Sequence, residues 1–179
     1  MNEDVGYLAS IDELFIYPWT FEAVRLLNDS NLPVVVVTNQ SGVARGICTE
    51  PMLEKIHSEF VKRLADQGAR IDAIYYCPHH PRIGNQSYRR DCNCRKPKPG
   101  MLEAAALEHD LHLSRSFVVG DKASDMDLAT KVGATPVLVL TGYGAYTRQN
   151  LEHCDYRPAI IADDLLGAVK AILGRLNSG

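Results

Sequence analysis

Four short apolar runs punctuate the chain, at Val34 to Val37, Ala73 to Tyr76, Phe117 to Val119 and Val137 to Leu140, each bounded by turn or polar residues. Runs of that length and boundary chemistry predict buried strands. Between them the apolar period changes. From Pro51 to Leu64 the residues Leu53, Ile56, Phe60 and Leu64 recur every three or four positions, behind Thr49 as N-cap and Pro51 in the first turn, which predicts an amphipathic helix. Met101 to Leu107 and Leu128 to Val132 predict shorter helices, and Leu165, Leu166, Val169, Ile172, Leu173 and Leu176 a C-terminal one. Ala159 to Ile161 predicts a further short strand. Strand and helix in alternation imply parallel strands joined by right-handed crossovers, with helices on both faces of an open α/β sheet. With no linker-like stretch or internal repeat, residues 1–179 are expected to form one domain.

Composition narrows the function classes. Lys plus Arg number 19 against 22 Asp plus Glu, a net charge of −3, which argues against non-specific nucleic-acid binding. The longest strongly apolar run, Leu32 to Val37, is interrupted by Pro33 and is too short to cross a bilayer. The opening residues MNEDVGYLAS carry acids where a signal peptide has a basic and then apolar stretch, so a cytoplasmic location is expected. Cys48, Cys77, Cys92, Cys94 and Cys154 are an odd number, and three of them crowd beside a His pair. In a reducing compartment that grouping points to metal rather than disulfides.

In an open parallel sheet, ligands bind beyond the carboxyl ends of the strands, and the polar residues of this chain lie there. After the first run comes Thr38-Asn39-Gln40-Ser41-Gly42-Val43-Ala44-Arg45-Gly46, whose hydroxyls, amides and backbone N–H groups suit an anion such as phosphate. The same residue types also suit a capped strand-to-helix turn. After the second run, Cys77-Pro78-His79-His80 is followed by Cys92-Asn93-Cys94. Three thiolates and one imidazole make a complete tetrahedral set for structural zinc with no position open to water. His79 is preferred to His80 for its spacing. The set brackets a long irregular segment, Pro78 to Gly100, that needs a reason to be ordered.

The next residues, Arg95-Lys96-Pro97-Lys98-Pro99-Gly100, read either as a solvated basic turn or as ordered cations for a phosphate or sugar. After the third run, Asp121 and Asp125 in Gly120-Asp121-Lys122-Ala123-Ser124-Asp125 suit Mg²⁺, which takes few protein carboxylates. Alternatively, Ser124 caps a helix and Asp125 complements its dipole. Asn2 to Tyr7 reads as a frayed terminus or a substrate loop.

Taken together, VVVTNQSGVARG, YYCPHHP, CNCRKPKPGM and VVGDKASDM resemble the haloacid-dehalogenase superfamily of phosphohydrolases. More narrowly, they resemble the bacterial D-glycero-D-manno-heptose 1,7-bisphosphate phosphatases and related histidinol-phosphatases. The likeness runs over nearly the whole chain. It implies a Rossmann-like sheet with a minimal cap and a zinc loop, in a monomeric, Mg²⁺-dependent phosphomonoester hydrolase acting on a small phosphorylated sugar. Removal of the C7 phosphate of a heptose bisphosphate, toward lipopolysaccharide precursors, is the reaction implied first, with histidinol phosphate as the rival substrate. The resemblance makes Thr38 the hydroxyl on the transferring phosphoryl group and Asn39, Gln40 and Ser41 the rest of its cradle. Lys96 neutralises the phosphoryl charge, Arg95 recognises substrate and Lys122 touches it. Asp121 binds Mg²⁺ with Asp125 in support, Cys77, His79, Cys92 and Cys94 hold Zn²⁺, and Asp4, Val5, Gly6 and Tyr7 form the substrate loop.

The superfamily's chemistry begins with a D-x-D-G-T motif, whose first Asp attacks phosphorus and whose second serves as general acid and base. The 179 residues contain none. Met1 stands where the family has the apolar residue that follows that motif, so the expectation is a start assigned just past the nucleophile and a chain inactive and poorly stable as given. A zinc-stabilised sugar-phosphate-binding module without catalysis is the alternative from another class.

Overall fold

The computed structural model describes residues 1–2, 6–153 and 156–178. The chain divides into two compact units, Met1–Met101 and Leu102–Gly179. No helix among the described residues is long and apolar enough to cross a membrane.

The first unit holds α1 (Pro18–Asp29), β1 (Val35–Asn39), α2 (Glu50–Ala65) and β2 (Ala73–Cys77), followed by the long irregular segment. β1 and β2 pair in parallel, from Val35 opposite Ala73 to Asn39 opposite Cys77, and both run one or two residues past their apolar runs. α2 forms where the period predicts it. The Met52 N–H donates to Thr49 Oγ1 at 3.3 Å, and Leu53, Ile56, Phe60 and Leu64 are all buried. They join one core with Leu14, Val24 and Val34, against which Val36, Ile74 and Tyr76 pack. Each such aliphatic side chain contributes ~1.5–3 kcal/mol when fully buried.

Sequence periodicity missed α1. The stripe it buries is Thr20, Ala23 and Val24, and Phe21 and Leu27 pack against the same core. A tertiary contact adds to that packing, since Thr20 Oγ1 donates to the Met1 carbonyl at 2.8 Å.

The second unit contains β3 (Phe117–Gly120), α4 (Ala123–Lys131), β4 (Thr135–Val139), α5 (Gly144–Gln149), β5 (Ile160–Ala162) and α6 (Leu165–Asn177). The unit boundary falls in the first turn of α3 (Gly100–His109). The strands pair in parallel in the order β3-β4-β5. Side chains alternate across a strand, and β4 shows both faces in use. Val137 and Val139 pack with Ala168 and Ile172 of α6, while Leu138 packs with Met126 of α4 and Tyr156. The expected parallel α/β layering is therefore present, as two sheets with no ladder between them among the described residues.

Several elements differ from expectation in their bounds, β5 by one residue at each end. α4 begins at Ala123 rather than Leu128, which puts Ser124 inside the helix instead of at its cap, and the Lys122 N–H donates to Asp125 Oδ2 at 3.1 Å. β4 begins at Thr135 and ends before Leu140, whose N–H is taken instead by the Ala162 carbonyl of β5. α5, six residues long and opened by Gly144, is too short to show a period.

Candidate functional site

The carboxyl end of β1 brings Thr38, Asn39, Gln40 and Lys96 together. Asn39 grips the backbone of Lys96 at both ends: its Oδ1 accepts the Lys96 N–H at 3.0 Å, and its Nδ2 donates to the Lys96 carbonyl at 3.2 Å. The Lys96 ammonium in turn donates to the Val37 carbonyl at 2.9 Å. Gln40 Nε2 donates to Thr38 Oγ1 at 3.2 Å. A hydroxyl and an ammonium thus stand at one strand end, 57 residues apart in sequence for Asn39 and Lys96, which is a charge arrangement suited to a phosphoryl group. The peptide between Lys96 and Pro97 is cis. Arg95 Nη1 donates to the His79 carbonyl at 3.1 Å, so the basic stretch is held to the Cys/His segment.

The turn that follows β1 receives the described end of the N-terminal loop. A Cβ at Gly42 would meet Tyr7 Cδ1 at 3.4 Å, and the Arg45 guanidinium carbon lies 5.3 Å from the Tyr7 ring centroid. Asp4 and Val5 lie outside the described residues.

Cys77, His79, Cys92 and Cys94 converge, with all four donor atoms within 4.8 Å of one another. The sulfurs of Cys77 and Cys92 are 3.5 Å apart, Cys94 and Cys77 3.1 Å, and Cys94 and Cys92 3.3 Å. His79 Nδ1 stands 3.7 Å from Cys77 Sγ and 3.3 Å from Cys94 Sγ. A tetrahedral ion with Zn–S near ~2.3 Å and Zn–N near ~2.0 Å sets its ligand atoms about 3.5–3.8 Å apart. The cluster fits such an ion after an outward adjustment of a few tenths of an ångström. Arg90 Nη2 lies 2.6 Å from His79 Nε2, leaving Nδ1 as the nitrogen that faces the sulfurs. Burial and the Arg90 guanidinium both lower the His79 pKa, favouring the neutral imidazole that ligates metal. Burial, followed by the hydrogen bond with Cys94, pushes the Cys77 thiol up, a preference that a bound cation reverses. His80 serves otherwise, its Nδ1 accepting the N–H groups of Arg82 and Ile83 at 3.1 and 3.0 Å.

At the carboxyl end of β3, Asp121 and Asp125 follow Gly120, and Asp125 is buried. A Cβ at 120 would stand 2.4 Å from Asp125 Cβ, so glycine is what allows this carboxylate to lie against the strand. Asp121 Oδ2 accepts the Tyr143 N–H at 2.8 Å, and its carbonyl accepts Thr147 Oγ1 at 2.7 Å.

A HAD-hydrolase-like family model matches residues 93–168. The D-glycero-beta-D-manno-heptose-1,7-bisphosphate 7-phosphatase of Photorhabdus laumondii is 40% identical over 176 residues, covering 97% of this chain and 90% of that protein. The chain belongs to the haloacid-dehalogenase-like heptose-bisphosphate phosphatase family. The family's enzyme from Escherichia coli K12 is 43% identical over 144 residues, 79% of this chain and 75% of its own length. Among solved family structures, the D,D-heptose 1,7-bisphosphate phosphatase of B. bronchiseptica, complexed with magnesium and phosphate, is similar at a TM-score of 0.84 and 34% identity, over 97% of this chain and 93% of that one. Its counterpart from Burkholderia thailandensis gives 0.68 and 28%, over 96% and 95%.

Several residues of this family member escape a motif reading. Glu50 opens α2, where a carboxylate suits the helix dipole, and accepts the hydroxyls of Tyr88 at 2.6 Å and Tyr76 at 2.7 Å. Those two phenols, Tyr88 first, hold its carboxyl below the usual range. The three side chains tie the Cys/His segment to α2 and β2. Arg90 backs His79, and Tyr143 backs Asp121. None carries a spacing signature, because each acts across the fold rather than along the chain.

Proposed function

We propose that this family member removes the C7 phosphate of D-glycero-D-manno-heptose 1,7-bisphosphate, in a Mg²⁺-dependent reaction that supplies precursors of a lipopolysaccharide core in the cytoplasm. The observation that carries the reading is the Asn39 clamp, which sets Lys96 beside the strand end bearing Thr38. Thr38, Asn39, Gln40 and Ser41 cradle the phosphoryl group, Lys96 neutralises its charge, and Arg95, Lys122 and the Asp4-to-Tyr7 loop, Gly6 included, contact the sugar phosphate. Asp121 and Asp125 would hold Mg²⁺, which when bound supplies charge neutralisation at the transferring phosphoryl group. Cys77, His79, Cys92 and Cys94 would hold Zn²⁺, a closed set that orders the segment carrying Arg95 and Lys96. An aspartyl-phosphate route needs the attacking carboxylate of a D-x-D-G-T motif, which would form the new bond to phosphorus as the sugar oxygen leaves. The 179 residues contain no D-x-D-G-T, so the attacking carboxylate is assigned to no residue of this chain.

The chain tests the binding half of the reading directly. Calorimetric titration with the heptose bisphosphate in Mg²⁺ should show one site, weakened ~10- to 100-fold by Lys96→Ala, as loss of a charge-assisted bond implies. A version with an apolar strand and D-x-D-G-T fused ahead of Met1 tests the chemistry, with phosphate release compared between the bisphosphate and histidinol phosphate. A higher kcat/KM on histidinol phosphate overturns the substrate assignment. Unaltered binding by Lys96→Ala overturns the site.

A further inference from the structure

The loop after β4, Thr141-Gly142-Tyr143-Gly144, is built around the pair Asp121 and Lys122. Through its backbone N–H, Tyr143 holds Asp121 Oδ2 at 2.8 Å, and its ring centroid lies 4.4 Å from the Lys122 ammonium. One residue therefore contacts two consecutive charged side chains, one through its main chain and one through its π face. The main chain has no latitude. At Gly142, with φ +58°, a Cβ would come within 2.4 Å of Asp121 Oδ2, and a Cβ at Gly144 would come within 1.7 Å of the Val139 carbonyl. Thr147, buried on α5, completes the grip by donating to the Asp121 carbonyl at 2.7 Å.

The ring of Tyr143 is not there to fill the core, since the residue is 51% exposed. Its remaining physical return is electrostatic, because a ring face attracts an ammonium and narrows the volume a flexible lysine stem sweeps. Lysine gains as a phosphate ligand when its head is already placed, since less rotamer freedom is then lost on binding.

We propose that Tyr143 is a positioning residue: its ring holds the Lys122 ammonium ready for a substrate phosphate, while its amide orients Asp121. The proposal rests on the reading of Lys122 as a substrate contact. Tyr143→Leu keeps the amide and removes only the π face, and Tyr143→Phe keeps both, so the two variants separate ring electrostatics from backbone. In NMR spectra of selectively labelled protein, the ε-methylene protons of Lys122 should be shifted upfield by the ring in the wild type and in Tyr143→Phe, and unshifted in Tyr143→Leu. In calorimetric titration with the heptose bisphosphate in Mg²⁺, Tyr143→Leu should bind about two- to five-fold more weakly, the range of an exposed cation–π contact. Tyr143→Phe should bind as the wild type, and Mg²⁺ titrated alone should bind all three within about twofold, as the retained amide requires. Lys122→Ala should weaken the bisphosphate, and adding Tyr143→Leu to it should weaken binding no further.

If Lys122→Ala weakens binding while Tyr143→Leu binds as the wild type, the proposal is overturned and the reading of Lys122 stands. Bisphosphate binding untouched by Lys122→Ala overturns that reading, and the proposal falls with it, whatever the ring shift. Should Tyr143→Leu fail to fold, Tyr143→Gln takes its place in every comparison. An unshifted Lys122 methylene in the wild type refutes the contact outright.

Discussion

Gly84→Ala puts a methyl group where the Cys/His segment meets the turn after β1. A Cβ at this position, with φ +107°, would stand 1.9 Å from the Ala44 carbonyl oxygen and 2.5 Å from its carbon. That same carbonyl accepts the Asn85 N–H at 3.1 Å. Non-bonded carbon and oxygen prefer roughly 3.4 Å or more, so segment and turn must part by about 1.5 Å and the hydrogen bond is lost. Left-handed backbone costs a non-glycine residue ~1–2 kcal/mol, and overpacking of this kind ~1–3 kcal/mol, giving about 2–5 kcal/mol together. Gly46→Ala is the control, because Gly46 has φ +71° with nothing within 4 Å of its Cβ position and carries only the backbone cost. Urea unfolding followed through Trp19, the single tryptophan, should place Gly84→Ala about 1–3 kcal/mol below Gly46→Ala at unchanged slope. Equal midpoints for the two variants would refute the idea that this close packing secures the segment.

Zinc should co-purify at one ion per chain by elemental mass spectrometry and be lost from Cys92→Ser, and a chelator should lower the urea midpoint of the wild type; a metal-free protein indifferent to chelator contradicts the zinc assignment. Tyr88 and Tyr76 lower the Glu50 pKa below its ordinary 4.5, so their stabilisation is complete above that pH and disappears as pH falls through the folded-state value. Glu50→Gln should accordingly be less stable than wild type at pH 7 and converge on it once pH has fallen through the lowered folded-state value, and a gap independent of pH would show that the charge is not involved. Asn39→Ala removes both hydrogen bonds to the Lys96 backbone and should weaken bisphosphate binding several-fold with Lys96 intact, whereas an unchanged titration would mean that Lys96 is placed without the clamp.

Some of the molecule was readable because its cause is local. The α2 period at Leu53, Ile56, Phe60 and Leu64 survives as a buried stripe, and the four metal-type side chains found by spacing meet in space. α1 lies outside the expected helices although Phe21, Val24 and Leu27 recur at every third position and pack in the core, with Thr20 tied to the Met1 carbonyl by a tertiary contact. The start of α4 at Ala123 leaves no apolar period, because Ser124, Asp125 and Asp127 fill its first turns. Asp125 suits either Mg²⁺ or a helix dipole by its sequence position, and the structure adds that it is a buried carboxylate against Gly120.

By itself, then, the sequence determined a parallel α/β chain, its family, and which side chains are candidates for phosphate, magnesium and zinc, because residue type and short-range period are written along the chain. Only the tertiary structure decided that Asn39 clamps Lys96, that Glu50 ties Tyr76 to Tyr88, and that Tyr143 underlies Lys122. The physical reason is that these are pairings between distant residues, and hydrogen-bond direction and ring contact are set by how strands and loops meet in space rather than by spacing along the chain.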